Sequence, residues 1–267
     1  MLKNVTFTLL FAVMLIFNLN GTTIAQNYFP TEIGNRWVLD SQDKAERITY
    51  TIEASDETIN DIELLIIKTV TETLGTDVAM AQEIFVDIDE EGIKVYKYVV
   101  EVDDIFGVAT ALLYPPQLFY PASIALGDEW QISAESELNI VGPFTFISTN
   151  EVVAVEDVET PAGTFKNCLK IRLRTLSIAA LGTTPATAYQ WLAPDFGPVK
   201  FENSQDIVFE LISSNLLYDV NRDGNINILD LVFVGTHFGE EDTLADVNRD
   251  GEVNILDLVL VAQNFDE

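Results

Sequence analysis

The chain has 267 residues, 14 basic side chains against 43 acidic ones, one Cys, one His and a formal net charge of −29. So acidic a chain offers no basic face to a phosphate backbone, which excludes nucleic acid as a partner. The lone Cys168 excludes intramolecular disulfides and thiolate zinc sites, and the lone His237 leaves little room for imidazole chemistry.

Residues 1–25 read as a secretory signal peptide. Lys3 supplies the positive start, Val5 to Leu19 form an apolar run, and Thr23-Ile24-Ala25 is a small-x-small cleavage site. The run falls short of the roughly 20 residues that span a bilayer, and no later apolar stretch reaches that length. After cleavage near Ala25 the mature chain is expected to lack a transmembrane segment and to be secreted, either extracellular or in the envelope.

Residues 26–212 read as one mainly β domain. Twelve candidate strands are Trp37–Leu39, Arg47–Ala54, Ile62–Thr71, Ala79–Asp87, Ile93–Val102, Thr110–Leu113, Glu129–Ala134, Thr145–Val155, Cys168–Thr175, Ala188–Leu192, Val199–Glu202 and Ile207–Ile212. Several alternate with period two, as in Ile93-Lys94-Val95-Tyr96-Lys97-Tyr98-Val99. Turn signals divide them at Glu91-Gly92, Tyr114-Pro115-Pro116, Pro161-Ala162-Gly163 and Pro194-Asp195-Phe196-Gly197. The pattern predicts an antiparallel meander, half-barrel or sandwich.

Catalytic signatures are lacking in this region: no GxxxxGK[ST], HExxH or GxSxG is present, and no second histidine. Acidic runs such as Asp87-Ile88-Asp89-Glu90-Glu91 and Asp103-Asp104 fall at predicted turns, where solvated charge is the ordinary reading. Cys168 lies in an alternating strand and reads as a small hydrophobe. Trp37, Trp130 and Trp191 also lie on strands, so core packing is expected over a sugar-stacking platform. Gly34-Asn35-Arg36-Trp37, Thr160-Pro161-Ala162-Gly163-Thr164-Phe165 and the run Trp191 to Lys200 resemble the TapB-type secreted domain of uncharacterised function. That domain is similar in architecture to the LolA-like half-barrel, which implies a fold and no activity.

Residues 213–267 contain a duplication. Residues 219–232 read DVNRDGNINILDLV and residues 246–259 read DVNRDGEVNILDLV, 27 positions later. In the first copy Asp219, Asn221 and Asp223 place oxygen-bearing side chains at alternate positions before the sharp turn at Gly224. Asn225 would offer its carbonyl, Asn227 its side chain, and Asp230 closes the loop at position 12. The second copy repeats this with Asp246, Asn248, Asp250, Glu252 (by its carbonyl), Asn254 and Asp257. This is the oxygen-ligand spacing of an EF-hand-like calcium loop, and it predicts two Ca2+ ions, one per loop. Ile226 and Val253 at position 8 are expected to pair by a short β-bridge. Each loop is followed by a helix whose apolar face is read as Leu231, Val234 and Phe238, and again as Leu258, Val261 and Phe265.

No helix enters the first loop, and position 12 is Asp in both copies. Paired loop-helix units of this kind, over about residues 213–267, resemble the type I dockerin domain. The resemblance implies calcium at the twelve residues named, and docking to a cohesin domain of a scaffold, often in polysaccharide-degrading assemblies. Positions 10 and 11 depart from familiar cellulosomal dockerins: they are Ile228-Leu229 and Ile255-Leu256 where Ser-Thr is frequent. The later recognition positions are Gly235-Thr236 and Ala262-Gln263 in place of basic residues. The two Ile-Leu pairs either meet a more apolar cohesin-like partner or pack within the protein.

Together these features predict a signal peptide (1–25), a β-rich domain (26–212) and a small α calcium-binding dockerin-like domain (213–267). The function favoured is calcium-dependent docking to a cohesin-like partner, without catalysis. The first alternative is a carbohydrate-active enzyme or accessory of glycoside hydrolase type delivered to polysaccharide by the dockerin; the second is a half-barrel carrier of an apolar ligand.

Overall fold

The computed structural model describes residues 27–103, 107–138, 142–180, 182–241 and 244–265. The signal segment and Asp104 lie outside the described residues. Twelve strands are found among those described: β1 (Arg36–Ser41), β2 (Glu46–Ile59), β3 (Ile62–Thr73), β4 (Ala79–Asp89), β5 (Gly92–Asp103), β6 (Gly107–Pro121), β7 (Glu129–Leu138), β8 (Gly142–Thr160), β9 (Gly163–Ala179), β10 (Gly182–Ala193), β11 (Gly197–Glu202) and β12 (Val208–Ser214). All join one antiparallel sheet, in the order β6-β5-β4-β3-β2-β1-β12-β11-β10-β9-β8-β7. A 3-10 turn (Asn215–Leu217) leads to two helices, α1 (Ile228–Thr236) and α2 (Ile255–Gln263).

Tight turns set the meander. Asn60 and Asp61 both adopt left-handed backbone, φ 54° and 64°, between paired Ile59 and Ile62. Two such residues make the turn whose twist matches the flanking strands, and Asn and Asp tolerate it better than other side chains. Inward-facing residues such as Val86, Val95, Ile171 and Leu211 are almost wholly buried and join one core with Trp37 and Leu39.

The sheet curls until its edges, β6 and β7, face each other. Side chains stitch this seam: Gln117 Nε2 donates to Ser133 O and Gln117 Oε1 accepts from Ser133 N, both at 2.7 Å. Trp130 Nε1 donates to Phe119 O at 2.8 Å, and Ser136 Oγ to Thr110 O at 2.8 Å. The result is a nearly closed half-barrel, one of the architectures the sequence allows; a sandwich is not formed.

One predicted turn is a strand. Tyr114-Pro115-Pro116 lies inside β6, where Lys97 pairs with Leu112 and Val95 with Gln117, so Leu113–Pro116 bulge opposite Tyr96. Proline has no N–H for the ladder, and a bulge lets the strand bypass it without ending. Most strands also run past their predicted ends, β8 over 19 residues, because their exposed ends lack the burial that creates alternation.

The large tryptophans are core residues, as the strand pattern implies. Trp37 is fully buried and donates to Phe196 O at 2.8 Å; Trp191 donates to Glu156 Oε1 at 2.6 Å beneath Lys170 and Lys200. A second, smaller core of Val220, Ile226, Val234, Ala245, Val247, Val253 and Val261 holds the C-terminal segment, and Tyr218 packs against both cores.

Candidate calcium module and docking surface

Each loop is closed by its own acidic residues. Asp219 accepts from Asp223 N and Gly224 N at 3.2 and 3.0 Å, and Gly224 takes the left-handed φ of 86° that lets the chain turn back. Asn221 Oδ1 accepts from Asp223 N at 2.8 Å, and Asn221 Nδ2 donates to Asp223 Oδ2 at 3.0 Å. The Asn225 carbonyl accepts from Asn227 Nδ2 at 3.1 Å.

The same loop starts the helix. Asn227 Oδ1 accepts from Leu229 N at 2.8 Å, while Asp230 accepts from Asn227 N at 2.8 Å, a reciprocal cap on α1. The other Asp230 oxygen reaches back to Asn221 N at 3.1 Å. Position 12 therefore closes the loop and begins the helix at once. The second loop repeats every one of these bonds: Asp246 with Asp250 N and Gly251 N, Asn248 with Asp250, the Glu252 carbonyl with Asn254, and Asp257 with Asn254 N and Asn248 N.

Asp219 and Asp246 are buried, and Asp230 and Asp257 are fully so. Desolvation raises the pKa of Asp219, and the nearby charges of Asp230 and Asp223 add to it. Asp246 is raised in the same way, by burial and then by Asp257 and Asp250. Among the described residues no group of three or more Asp, Glu, His or Cys side chains is gathered closely enough to hold an ion by itself. The loop oxygens are instead a mixture of carboxylates, Asn amides and main-chain carbonyls. Two buried carboxylates per loop beside half-buried and exposed Asn, Asp and main-chain oxygens, with no thiolate or imidazole among them, fit a hard divalent cation, and a flexible cage suits calcium better than magnesium. The cation would supply the positive charge that offsets the repulsion between the carboxylates.

Two expectations about the module need correction. Val253 does not bridge to Ile226: its carbonyl accepts from Gly239 N at 2.8 Å and its N–H donates to Glu240 O at 3.0 Å. Val253 thus pairs with the segment leaving α1, which wraps round to the second loop. Phe238 and Phe265 are not part of buried helix faces. Each helix spans nine residues, too short to carry an i+7 position from Leu231 or Leu258, and the two rings are 55% and 39% exposed. Val234 and Val261 supply the buried contact between the helices.

The four candidate partner residues lie in the open. Ile228 and Ile255 are each 60% exposed, and Leu229 and Leu256 each 54%. Packing inside the module is therefore excluded for them; they form two equivalent apolar pairs at the first turns of α1 and α2.

Sequence reading missed Arg222 and Arg249, which occupy position 4 of the two loops. Both have left-handed backbone, φ 62° and 58°, and both guanidinium groups reach the β domain, Arg222 at Asp195 and Arg249 over Phe165 and Phe196. Burial pushes the pKa of Arg222 down and that of Arg249 to about 10. The one sign in the sequence was that both hold the same place in the near-identical repeat, which marks them as a pair without showing what they touch.

Residues 217–266 match the family model described as the dockerin type I domain, and residues 108–217 match one described as DUF3108-like. No curated protein matches the chain. Among solved structures, a protein of Parabacteroides distasonis assigned as a lipoprotein is 13% identical, over 72% of this chain and 99% of that one, at a TM-score of 0.41. A protein of Bacteroides fragilis assigned as exported, with a YmcC-like fold, is 15% identical over 71% and 99%, at 0.40. Among the described residues no helix is long and apolar enough to cross a membrane. The chain thus joins a strand-rich segment similar to the DUF3108-like family to a C-terminal segment that matches the type I dockerin domain.

Proposed function

We propose that this is a secreted calcium-binding protein whose C-terminal module, residues 213–267, docks the β half-barrel of residues 26–212 to a cohesin-like partner on an extracellular scaffold. The observation that carries this reading is the pair of equivalent, exposed Ile-Leu steps, each set immediately before a buried position-12 aspartate. An exposed apolar pair at a helix start costs solubility unless a partner covers it. Calcium in the loop would hold that helix start in place, through Asp230 in one copy and Asp257 in the other.

The test is retention of a cohesin-bearing protein from the extracellular and envelope fraction on immobilised mature chain, in millimolar calcium and in chelator. Retention only with calcium supports docking; retention indifferent to calcium sinks it. Because the two pairs are equivalent, Ile228→Asp with Leu229→Asp leaves retention largely intact. Adding Ile255→Asp and Leu256→Asp abolishes it.

A second reading concerns the half-barrel. An apolar cavity of about 260 Å3 lies across the seam, lined by Tyr98, Ala109, Ala111, Ala134, Phe144 and Phe146. It falls just below the roughly 300–1,000 Å3 of ordinary small-molecule sites, so it suits a short or single-chain apolar ligand. Titration with a fluorescent fatty acid tests it, and Ala134→Trp, which fills the cavity, should remove binding if this is the site.

A further inference from the structure

Arg222 and Arg249 are the only Lys or Arg residues of the C-terminal module, and neither serves as a candidate calcium ligand. Both point out of their loops and into the half-barrel. Arg249 lies over the rings of Phe165 and Phe196, with its guanidinium carbon 4.2 and 5.0 Å from their centroids. Arg222 Nη2 donates to Asp195 O at 3.1 Å. Among the described residues, Arg222 Nη1 and Arg249 Nε are buried without a hydrogen-bond partner. Two desolvated guanidinium groups at one intramolecular contact are held there by packing and cation–π attraction.

The Phe165 and Phe196 rings meet at a tilt of 50° with centroids 4.7 Å apart, and the Phe196 carbonyl accepts from the buried Trp37 indole. Gly163, with φ of 124°, comes so close to the arginine stem that an added Cβ would lie 3.2 Å from Arg249 Cδ. The two turns that supply these residues, Thr160–Thr164 and Pro194–Gly197, are thus shaped around the module. On the loop side, each arginine stands between two candidate ligands, Asn221 and Asp223 or Asn248 and Asp250. Its left-handed backbone lies within the loop that Asp219 or Asp246 closes.

We propose that Arg222 and Arg249 form a clamp that fastens the calcium loops to the half-barrel, so that metal binding orders the junction between the two modules as well as the loops. The proposal rests on the reading that the loops hold calcium. The clamp occupies the loop face of the module and leaves both Ile-Leu pairs facing away, so docking and clamping are compatible.

The experiment compares the mature chain with Arg222→Ala/Arg249→Ala in calcium and in chelator. Calorimetry with CaCl2 reports metal binding separately, and far-UV circular dichroism verifies that the sheet has folded. Thermal unfolding of the sheet, followed by tryptophan fluorescence, should rise in calcium by about 4 °C for the wild type and by less than half of that for the variant. X-ray scattering in calcium should show a larger maximum dimension for the variant, as the module swings free. Arg249→Lys, which keeps the charge and loses the flat stacking, should recover only part of the shift. Equal calcium shifts with unchanged scattering overturn the clamp while leaving calcium binding intact. Absence of calorimetric binding overturns the calcium reading itself.

Discussion

Cys168 sits in β9 with no exposed surface, and its Sγ lies 3.5 Å from the Phe165 carbonyl. Burial pushes its thiol from an ordinary value of 9.0 up to about 12, with Asp157 adding to the shift. At pH 8 the folded protein therefore carries roughly a thousandfold less thiolate than an open thiol would. Iodoacetamide should leave native protein unmodified and label one thiol per chain in guanidinium, and labelling of the native form at the denatured rate would contradict the burial. The linkage has a definite sign. Above pH 9 the unfolded chain gives up this proton and the folded one keeps it, so the thiol lowers stability between pH 9 and 12 and has no effect below. The alternating run Asn167 to Ile171 was enough to place this residue indoors. Arg222 and Arg249 were not legible in the same way, because nothing local distinguishes a solvated loop arginine from one that another part of the chain desolvates.

At the scale of elements, the seam between β6 and β7 rests on few bonds. Gln117 stands in for a strand, offering its amide as both donor and acceptor to Ser133. Gln117→Leu keeps the bulk, deletes both bonds and leaves the Ser133 backbone partly unsatisfied, at a cost of about 2 kcal/mol. Urea unfolding should show that loss in the midpoint, and an unchanged midpoint would mean that the seam contributes nothing to closure. The loop-helix units behave differently, since their order depends on charge. Residues 213–267 hold twelve acidic residues and two arginines, and their core is seven small apolar side chains. A piece of this size is marginal alone, and metal binding energy becomes folding energy. The isolated fragment should show helical circular dichroism in calcium and largely lose it in chelator; identical spectra in both would refute this. Both helices were readable because loop spacing and apolar periodicity are local, whereas the capping role of Asn227 with Asp230 and of Asn254 with Asp257 appeared only in the structure. The length of α1 was not readable either, since the chain must leave it in time to pair Gly239 and Glu240 with Val253.

Over the whole molecule the dominant physical fact is the net charge of −29. Self-repulsion on that scale opposes compaction and is screened within about 10 Å at 0.1 M salt. Raising NaCl from about 10 mM to about 300 mM in chelator should therefore raise the melting temperature of the half-barrel. A fall would show that its surface ion pairs, such as Arg47 with Asp40, outweigh the repulsion. With calcium present the salt effect should be smaller if the loops take up the ion, since cations bound there would offset part of the acidic charge.

The sequence alone determined what depends on neighbours in the chain. Alternation with turn residues gave twelve strands in order, and the spacing of Asp, Asn and Gly gave two oxygen-lined loops that each begin a helix. Only the tertiary structure decided that the sheet closes on itself, that Tyr114-Pro115-Pro116 is a bulge, and that the Ile-Leu pairs face solvent. It alone brought the two loop arginines against Phe165 and Phe196. Periodicity reports which side of a strand or helix is apolar. Which surface covers that side depends on contacts between residues far apart in the chain, and no local pattern encodes them.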